Sequence, residues 1–354
     1  MSNVLLEMPW RRLVRVGKPF WVSKEARIAM LHLASILTLL AAKAAVAVFI
    51  NRTAGHFMTA IEQKVLADMH LYLLLSILSV LVIVPIEVYY GMLRTRLALI
   101  WRKWLSESLI DRYFVERAGL HIEKLHEIDN PEQRLTQDVD SFCNSSLGLF
   151  ISILDAVITV CTFITVLWVI SPTLSVTVMI YATLGLVIVS CIGRSLVNLS
   201  SQQITKEADL RKGLSKAREE LVGTLDPSQP SLIAQSGIWL NSVISTLTQI
   251  MVVNKNIQLF TTPFNLLMPL VPAVIIAPCY FAGQIPFGTI TQAVMAFTSV
   301  FNGATVLINQ FNGISSFAAI IDRLGALIEG LEAGRTDLVE LDSKPTEVTA
   351  AEIQ

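Results

Sequence analysis

The stretch "EIDNPEQRLTQDVDSF", Glu127 to Phe142, is polar and charged, yet it stands between runs too apolar to sit in water. Asp129, Asn130 and Pro131 break any helix that reaches them, because the residue before a proline is pushed out of the helical region. Asp129 or Asn130 is then placed to cap a helix beginning at Pro131. The spacing predicts a short helix lying across the end of two long ones.

The surrounding chain explains why so polar a piece matters. Of 354 residues, 53% are hydrophobic and only 16% charged, and the mean hydropathy is +0.60. Those values lie outside the range of an ordinary soluble domain and indicate a membrane protein. The net charge is −1, so the overall balance does not point to nucleic acid as a partner.

A hydrocarbon core about 30 Å thick needs roughly 20 apolar residues in helical form, and about six segments qualify. They lie near Ile28–Ile50, His70–Leu93, Leu147–Ile170, Thr173–Gly193, Phe260–Ala282 and Phe287–Ile308. Membrane strands would alternate apolar and polar residues in shorter segments. The fold class is therefore all-α membrane. The segments at 147–193 and 260–308 are helical hairpins closed by "SPT" and "GQIPF".

Bases set the orientation. Arg11, Arg12, Arg15, Lys18, Lys24 and Arg27 precede the first span, further clusters follow the second and fourth, and all fall on one side. The positive-inside rule makes that side, and both termini, cytoplasmic. Residues 1–27 form a cytoplasmic lead, 28–333 the six-helix domain, and 334–354 an acidic tail expected to be disordered. Between the second and third spans, Leu97, Trp101, Trp104, Leu105 and Leu109 recur at helical spacing, so the second span continues past the bilayer as an amphipathic helix. After the fourth span "QQITKEADLRKGLSKAREE" is strongly helical, until Gly223, Pro227 and Pro230 interrupt it.

The four cysteines stand far apart without a CxxC spacing, and His121 and His126 fall on different helix faces, which gives no metal-site or disulfide pattern. No short apolar core with a cleavage site opens the chain, so a bacterial or cyanobacterial inner membrane is expected, with an organelle membrane as the alternative.

Three charged residues fall within predicted spans: Lys43, Glu87 and Asp155. Ionised groups there are costly unless they face a cavity or a partner, which makes them pathway candidates. Lys43 is placed roughly 22 Å, and Asp155 roughly 12 Å, from the cytoplasmic ends of their spans, so the two are not expected to pair. Glu87, near the boundary, is expected to reach headgroups or Arg94.

"WRKWLSESLIDRYF", "IDNPEQRLTQDVDSF", "TKEADLR", "APCYFAGQIPFGTITQAVMAF" and "IDRLGALIEGLE" occur in an order that resembles the transmembrane half of ABC transporters of the subfamily D type, across about residues 15–333. The resemblance implies a coupling helix that docks on a nucleotide-binding domain, its matching residues here being Asn130, Pro131, Glu132, Gln133, Arg134 and Asp138. It implies a second coupling loop at Glu207, Asp209 and Arg211, followed here by "AREELVGTLDPSQPS" where the family has an apolar stretch with glycine and glutamate. No GxxxxGK[ST] phosphate cradle occurs, so the chain is not expected to hydrolyse ATP itself. ATP and Mg would act only through a partner ATPase, and no cofactor is expected in this chain.

The leading reading is a permease half-subunit in a homo- or heterodimer, embedded in lipid and driven by a separate ATPase subunit. Its cargo would be an amphipathic small molecule, an acyl compound or a peptide. Proton-driven peptide importers share this membrane architecture without a nucleotide-binding domain and supply a second reading, in which Glu87 or Asp155 titrates. A third is a truncated, non-transporting assembly partner.

Overall fold

A computed structural model describes residues 10–115, 129–223 and 230–343. Every element among them is helical: α1 (Trp10–Val22), α2 (Ala26–Glu62), α3 (Leu66–Ile110), α4 (Pro131–Ile170), α5 (Pro172–Gly223), α6 (Pro230–Leu267), α7 (Leu270–Phe281) and α8 (Phe287–Ser343). His121, His126, Pro227 and the tail from Lys344 onward lie outside the described residues. Among the described residues, five stretches are long and apolar enough to cross a membrane: Ala26–Glu62, Leu66–Phe114, Pro131–Ile170, Pro172–Arg218 and Ser236–Phe281. The sixth expected span, Phe287–Ile308, falls within the first part of α8. The chain divides into two compact units, Met1–Val166 with Asn302–Gln354, and Leu167–Phe301.

In the first unit α2 and α3 form an antiparallel hairpin. Its turn is far tighter than the gap between the expected spans Ile28–Ile50 and His70–Leu93: α2 continues to Glu62, and only Gln63 to Val65 separate it from α3. Lys64 takes a left-handed φ of 58°, and the Val65 N–H reaches back to the Ala60 carbonyl at 3.0 Å. Hydropathy reports where apolar composition ends, whereas the helix persists because Asn51, Thr53 and Ala60 are buried against neighbours. His56 stacks on Tyr72 across the hairpin, 5.0 Å between ring centres.

The amphipathic continuation of α3 is present as the spacing predicts: Leu97, Trp101, Leu105 and Leu109 are all buried. Trp101 faces α1, whose Val16, Gly17 and Phe20 recur at i, i+1 and i+4 and are buried in turn. An aromatic chain then links four helices. Phe20 stacks on Trp101 at 5.3 Å, Trp101 meets Phe142 of α4 edge-on at 5.6 Å, and Phe142 leans on Phe317 of α8 at 5.7 Å. Ring pairs of this geometry add to the area they bury.

The terminal helix corrects an expectation. Residues 334–343, assigned above to a disordered tail, continue α8. Ile321, Leu324, Leu327, Ile328 and Leu331 bury one stripe of the same helix just upstream.

In the second unit α5 packs along α6. Tyr181 of α5 stacks on Phe264 of α6 at 4.1 Å and donates its hydroxyl hydrogen to the Phe264 carbonyl at 2.6 Å. Gly185 permits this approach, since a Cβ there would come within 2.6 Å of the Phe264 ring. The span expected at 260–282 is interrupted between Leu267 and Leu270, where Pro269 has no N–H to continue the ladder. Both hairpin turns fall where predicted. Pro172 opens α5 directly after Ser171, and Gly283, at φ +71°, begins the turn between α7 and α8.

Candidate functional site

The polar stretch at 129–142 does not form a separate cross-helix. Pro131–Gln133 is the first turn of α4 and passes through a wider π-type turn, Arg134–Asp138, into the long apolar helix. The expected side-chain cap is also absent. Asn130 adopts a left-handed conformation, φ 49° and ψ 63°, and makes no side-chain cap bond. Its backbone carbonyl accepts the N–H groups of Gln133 and Arg134 at 3.1 and 3.3 Å instead. Left-handed geometry is tolerated by asparagine better than by most residues.

This turn has two faces. Asn130, Glu132, Gln133, Thr136 and Gln137 are exposed, while Leu135, Asp138 and Val139 are buried. Asp138 therefore departs from the outward-facing set that the motif implies. Its two oxygens accept 2.8 Å bonds from Nε and Nη2 of Arg323 on α8. Arg134 is committed in the same direction, donating to the Arg323 carbonyl at 3.0 Å and the Asp129 carbonyl at 3.1 Å. A bidentate guanidinium–carboxylate pair fixes orientation as well as distance. The exposed face of the turn is thus bolted to the terminal helix behind it.

The same stretch of α8 is held from another side. Arg12 of α1 reaches Glu329 at 2.8 Å and Asp322 at 3.0 Å, and Arg15 reaches Glu329 at 3.1 Å. The bond to Glu329 is the main cause that raises the Arg12 pKa above its ordinary value, with Asp322 next. The Arg12 stem crosses Gly325, where a Cβ would lie 2.5 Å from its Cδ. Arg102 of α3 adds a 3.0 Å pair with Asp140.

Within the spans the three charged residues converge. Lys43 Nζ lies 3.1 Å from Asp155 Oδ2 and 3.2 Å from Glu87 Oε2, and 5.5 Å from the centre of the Tyr90 ring. This overturns the expectation that Lys43 and Asp155 do not pair and that Glu87 turns to Arg94. Depth was reckoned from Ile28 and Leu147 as if they lay at one level. The helices begin at Ala26 and Pro131, α4 well before Leu147, so distance counted along each helix gives no common depth for Lys43 and Asp155. One ammonium joins α2, α3 and α4 inside the bilayer-crossing region, shared between two carboxylates.

Glu207, Asp209 and Arg211 belong to the second unit and lie within α5, not in a loop. Glu207 accepts a 2.8 Å bond from Gln203 one turn earlier, while Asp209 and Arg211 are exposed. Nearby, Lys206 donates to the buried Thr246 hydroxyl at 2.7 Å.

Arg323 and the Arg12–Glu329 pair were not singled out by sequence. The signal available was a charged Asp-Arg step beside the apolar stripe of "IDRLGALIEGLE", which periodicity alone reads as solvated.

Comparison with known proteins follows the same stretches. Residues 13–220 match the family model described as ABC transporter transmembrane region 2. The chain is 30% identical over 324 residues to ABC transporter D family member 2, chloroplastic, of Arabidopsis thaliana, covering 90% of this chain and 46% of that protein. It is 35% identical over 268 residues to an ABC transporter ATP-binding protein of Synechocystis, covering 75% and 40%. It is 24% identical over 344 residues to the inner membrane ABC transporter ATP-binding protein YddA of Escherichia coli, covering 91% and 61%. The chain thus spans about half the length of these relatives. With five membrane-length apolar helices and a family match across more than half of its residues, the chain is an integral, multi-pass membrane protein that belongs to the ABC transporter transmembrane region 2 family, subfamily D type.

Proposed function

We propose that this chain is the permease half of an ABC-type transporter that moves an amphipathic substrate, such as an acyl compound or a peptide, with work supplied by an ATPase carried outside these residues. The observation that carries the reading is the turn at Asn130–Gln137. Its outer face presents Glu132, Gln133, Thr136 and Gln137 to solvent, while its inner face is locked to α8 through Asp138 and Arg323. A polar, rigidly backed knob at the start of a long apolar helix is suited to receive a push and pass it along the helix. Two of the relatives are named ATP-binding proteins and extend well beyond the matched region, which supports assigning nucleotide chemistry to another chain or segment. In this reading α8 provides the sixth span, two halves enclose the path, and the basic end faces the cytoplasm. In this reading the membrane is a bacterial or cyanobacterial inner membrane, with an organelle membrane as the alternative.

Flux into proteoliposomes, measured with and without ABC ATPase chains and ATP, tests the reading. ATP-dependent flux that Gln133→Arg abolishes is the expected result. Flux indifferent to every ATPase chain would overturn it.

A second reading rests on the cluster at Lys43. Two carboxylates share one ammonium, so the group carries one excess negative charge when all three are ionised, as a proton-coupled carrier would use. Uptake that collapses with the proton gradient and survives ATP depletion would favour it.

A further inference from the structure

The membrane-length stretch Ser236–Phe281 is broken between Leu267 and Leu270, inside the span expected at Phe260–Ala282. Prolines explain the break. Pro269 and Pro272 have no N–H, so the carbonyls of Asn265 and Met268 lose their helical donors, and each ring disfavours helical geometry at the residue before it. The Met268 carbonyl falls back on the Val271 N–H at 3.3 Å, and the Phe264 carbonyl accepts the Met268 N–H at 3.2 Å. Both bonds are longer than the usual N–H to carbonyl bond.

A side chain of the neighbouring helix supplies the firmer contact. The Tyr181 hydroxyl of α5 donates to the Phe264 carbonyl at 2.6 Å, and the two rings stack at 4.1 Å with 14° between their planes. Phe260 of α6 and Phe301 of α8 also lie against Phe264, and Phe297 of α8 against Tyr181. On its α6 side the break is thus packed in rings from three helices. On its α7 side Leu270, Val274 and Phe281 are exposed, and Pro272 and Ile276 are the buried residues of the helix. Side chains of neighbouring helices commonly steady the backbone at such breaks.

We propose that Leu267–Leu270 is a hinge within the membrane and that the Tyr181 hydroxyl is its latch. The bond to the Phe264 carbonyl holds α6 and α7 at one angle, and its release lets α7 turn about Met268 and Pro269. Stacked rings tolerate sliding, whereas a hydrogen bond weakens steeply off its line, so the hydroxyl and not the stack fixes the angle. Water is scarce inside a span, so little competes with Tyr181 for the carbonyl. Tyr181, Phe264 and Pro269 all belong to the second unit, and the proposal does not depend on the origin of the transport energy.

Double electron–electron resonance on the full chain in phosphatidylcholine nanodiscs tests this, with the native cysteines replaced and spin labels at Leu259 and Phe281, both exposed. Labelled chains are diluted among unlabelled copies, so that distances within one chain are read. An unbroken helix would set the two labelled backbones about 33 Å apart. The wild type is expected to give one narrow distribution centred short of that distance. Tyr181→Phe, which keeps the stack and removes the bond, should raise the population outside that distribution by about tenfold. Pro269→Ala with Pro272→Ala restores the missing donors and should move the centre towards the unbroken distance. Tyr72→Phe, which removes a hydroxyl at the α2–α3 hairpin, should change nothing, and circular dichroism confirms that each variant is folded. A Tyr181→Phe distribution equal to the wild type would overturn the proposal, as would a wild type already centred at the unbroken distance. Broadening by Tyr181→Leu but not by Tyr181→Phe would assign the hold to ring packing and overturn it too.

Discussion

Asp138 and Arg323, separated by 185 residues in sequence, face one another through two 2.8 Å bonds, with the Asp138 side chain only 4% exposed. This contact converts an exposed turn into a fixed projection from a four-helix core. Leaving a buried acceptor without its donors costs about 1–3 kcal/mol, and more when it is charged, so Arg323→Gln is expected to lower the apparent melting midpoint in detergent. Arg323→Lys should fall between Gln and wild type, since an ammonium keeps charge and loses the fork. Asp138→Leu with Arg323→Met together should be less damaging than either change alone. Equal midpoints across the series would show that the pair holds nothing.

The cluster at Lys43 makes an ordered prediction. Lys43→Met leaves Glu87 and Asp155 without a counter-charge and should be the most destabilising single change. Glu87→Gln leaves a one-to-one pair with Asp155, and Glu87 is itself half exposed, so its effect should be small. The triple change Lys43→Met, Glu87→Gln and Asp155→Asn should recover much of the loss. Thermal unfolding of the set checks the order, and a harmless Lys43→Met would contradict it.

Gly213 lies under the Trp239 ring, where a Cβ would come within 2.1 Å of it. Overpacking of this kind typically costs about 1–3 kcal/mol, so Gly213→Ala should reduce stability even though alanine favours helix. Gly237, on the facing helix, has nothing within 4 Å of such a Cβ. Gly237→Ala should therefore be neutral or stabilise by up to about 1 kcal/mol. Paired melting curves decide it, and the reverse order would show that α5 and α6 do not meet here.

The contact between α1 and α8 predicts a local effect. Gly325→Ala would press on the Arg12 stem and loosen the pairs with Asp322 and Glu329. Limited proteolysis within 322–335 should then be faster, and Gly325→Ala cleaved at the wild-type rate would count against this packing.

Much of the architecture was legible because apolar runs and basic clusters act locally. The stripe Leu97, Trp101, Leu105 and Leu109 and both tight hairpins needed only periodicity and prolines. What escaped prediction depends on contacts between distant elements. The end of α2 was missed because Asn51 and Thr53 look polar but are buried. The cluster at Lys43 was missed because composition gives each helix a length but no common depth. Asp138 was grouped with the exposed turn because its partner lies on the last helix. Family resemblance pointed to the turn at Asn130, yet only the fold divides its residues into an outer and an inner face.

The central claim is that the outer face of the Asn130–Gln137 turn receives an ATPase. Its most direct measurement is thiol crosslinking from Gln133→Cys, with the four native cysteines replaced, to ABC ATPase chains from the same cell, against Lys64→Cys in the opposite turn as control. A nucleotide-dependent adduct at 133 and none at 64 is the predicted result. No adduct at 133 with any ATPase chain, in a preparation that still transports, would contradict it.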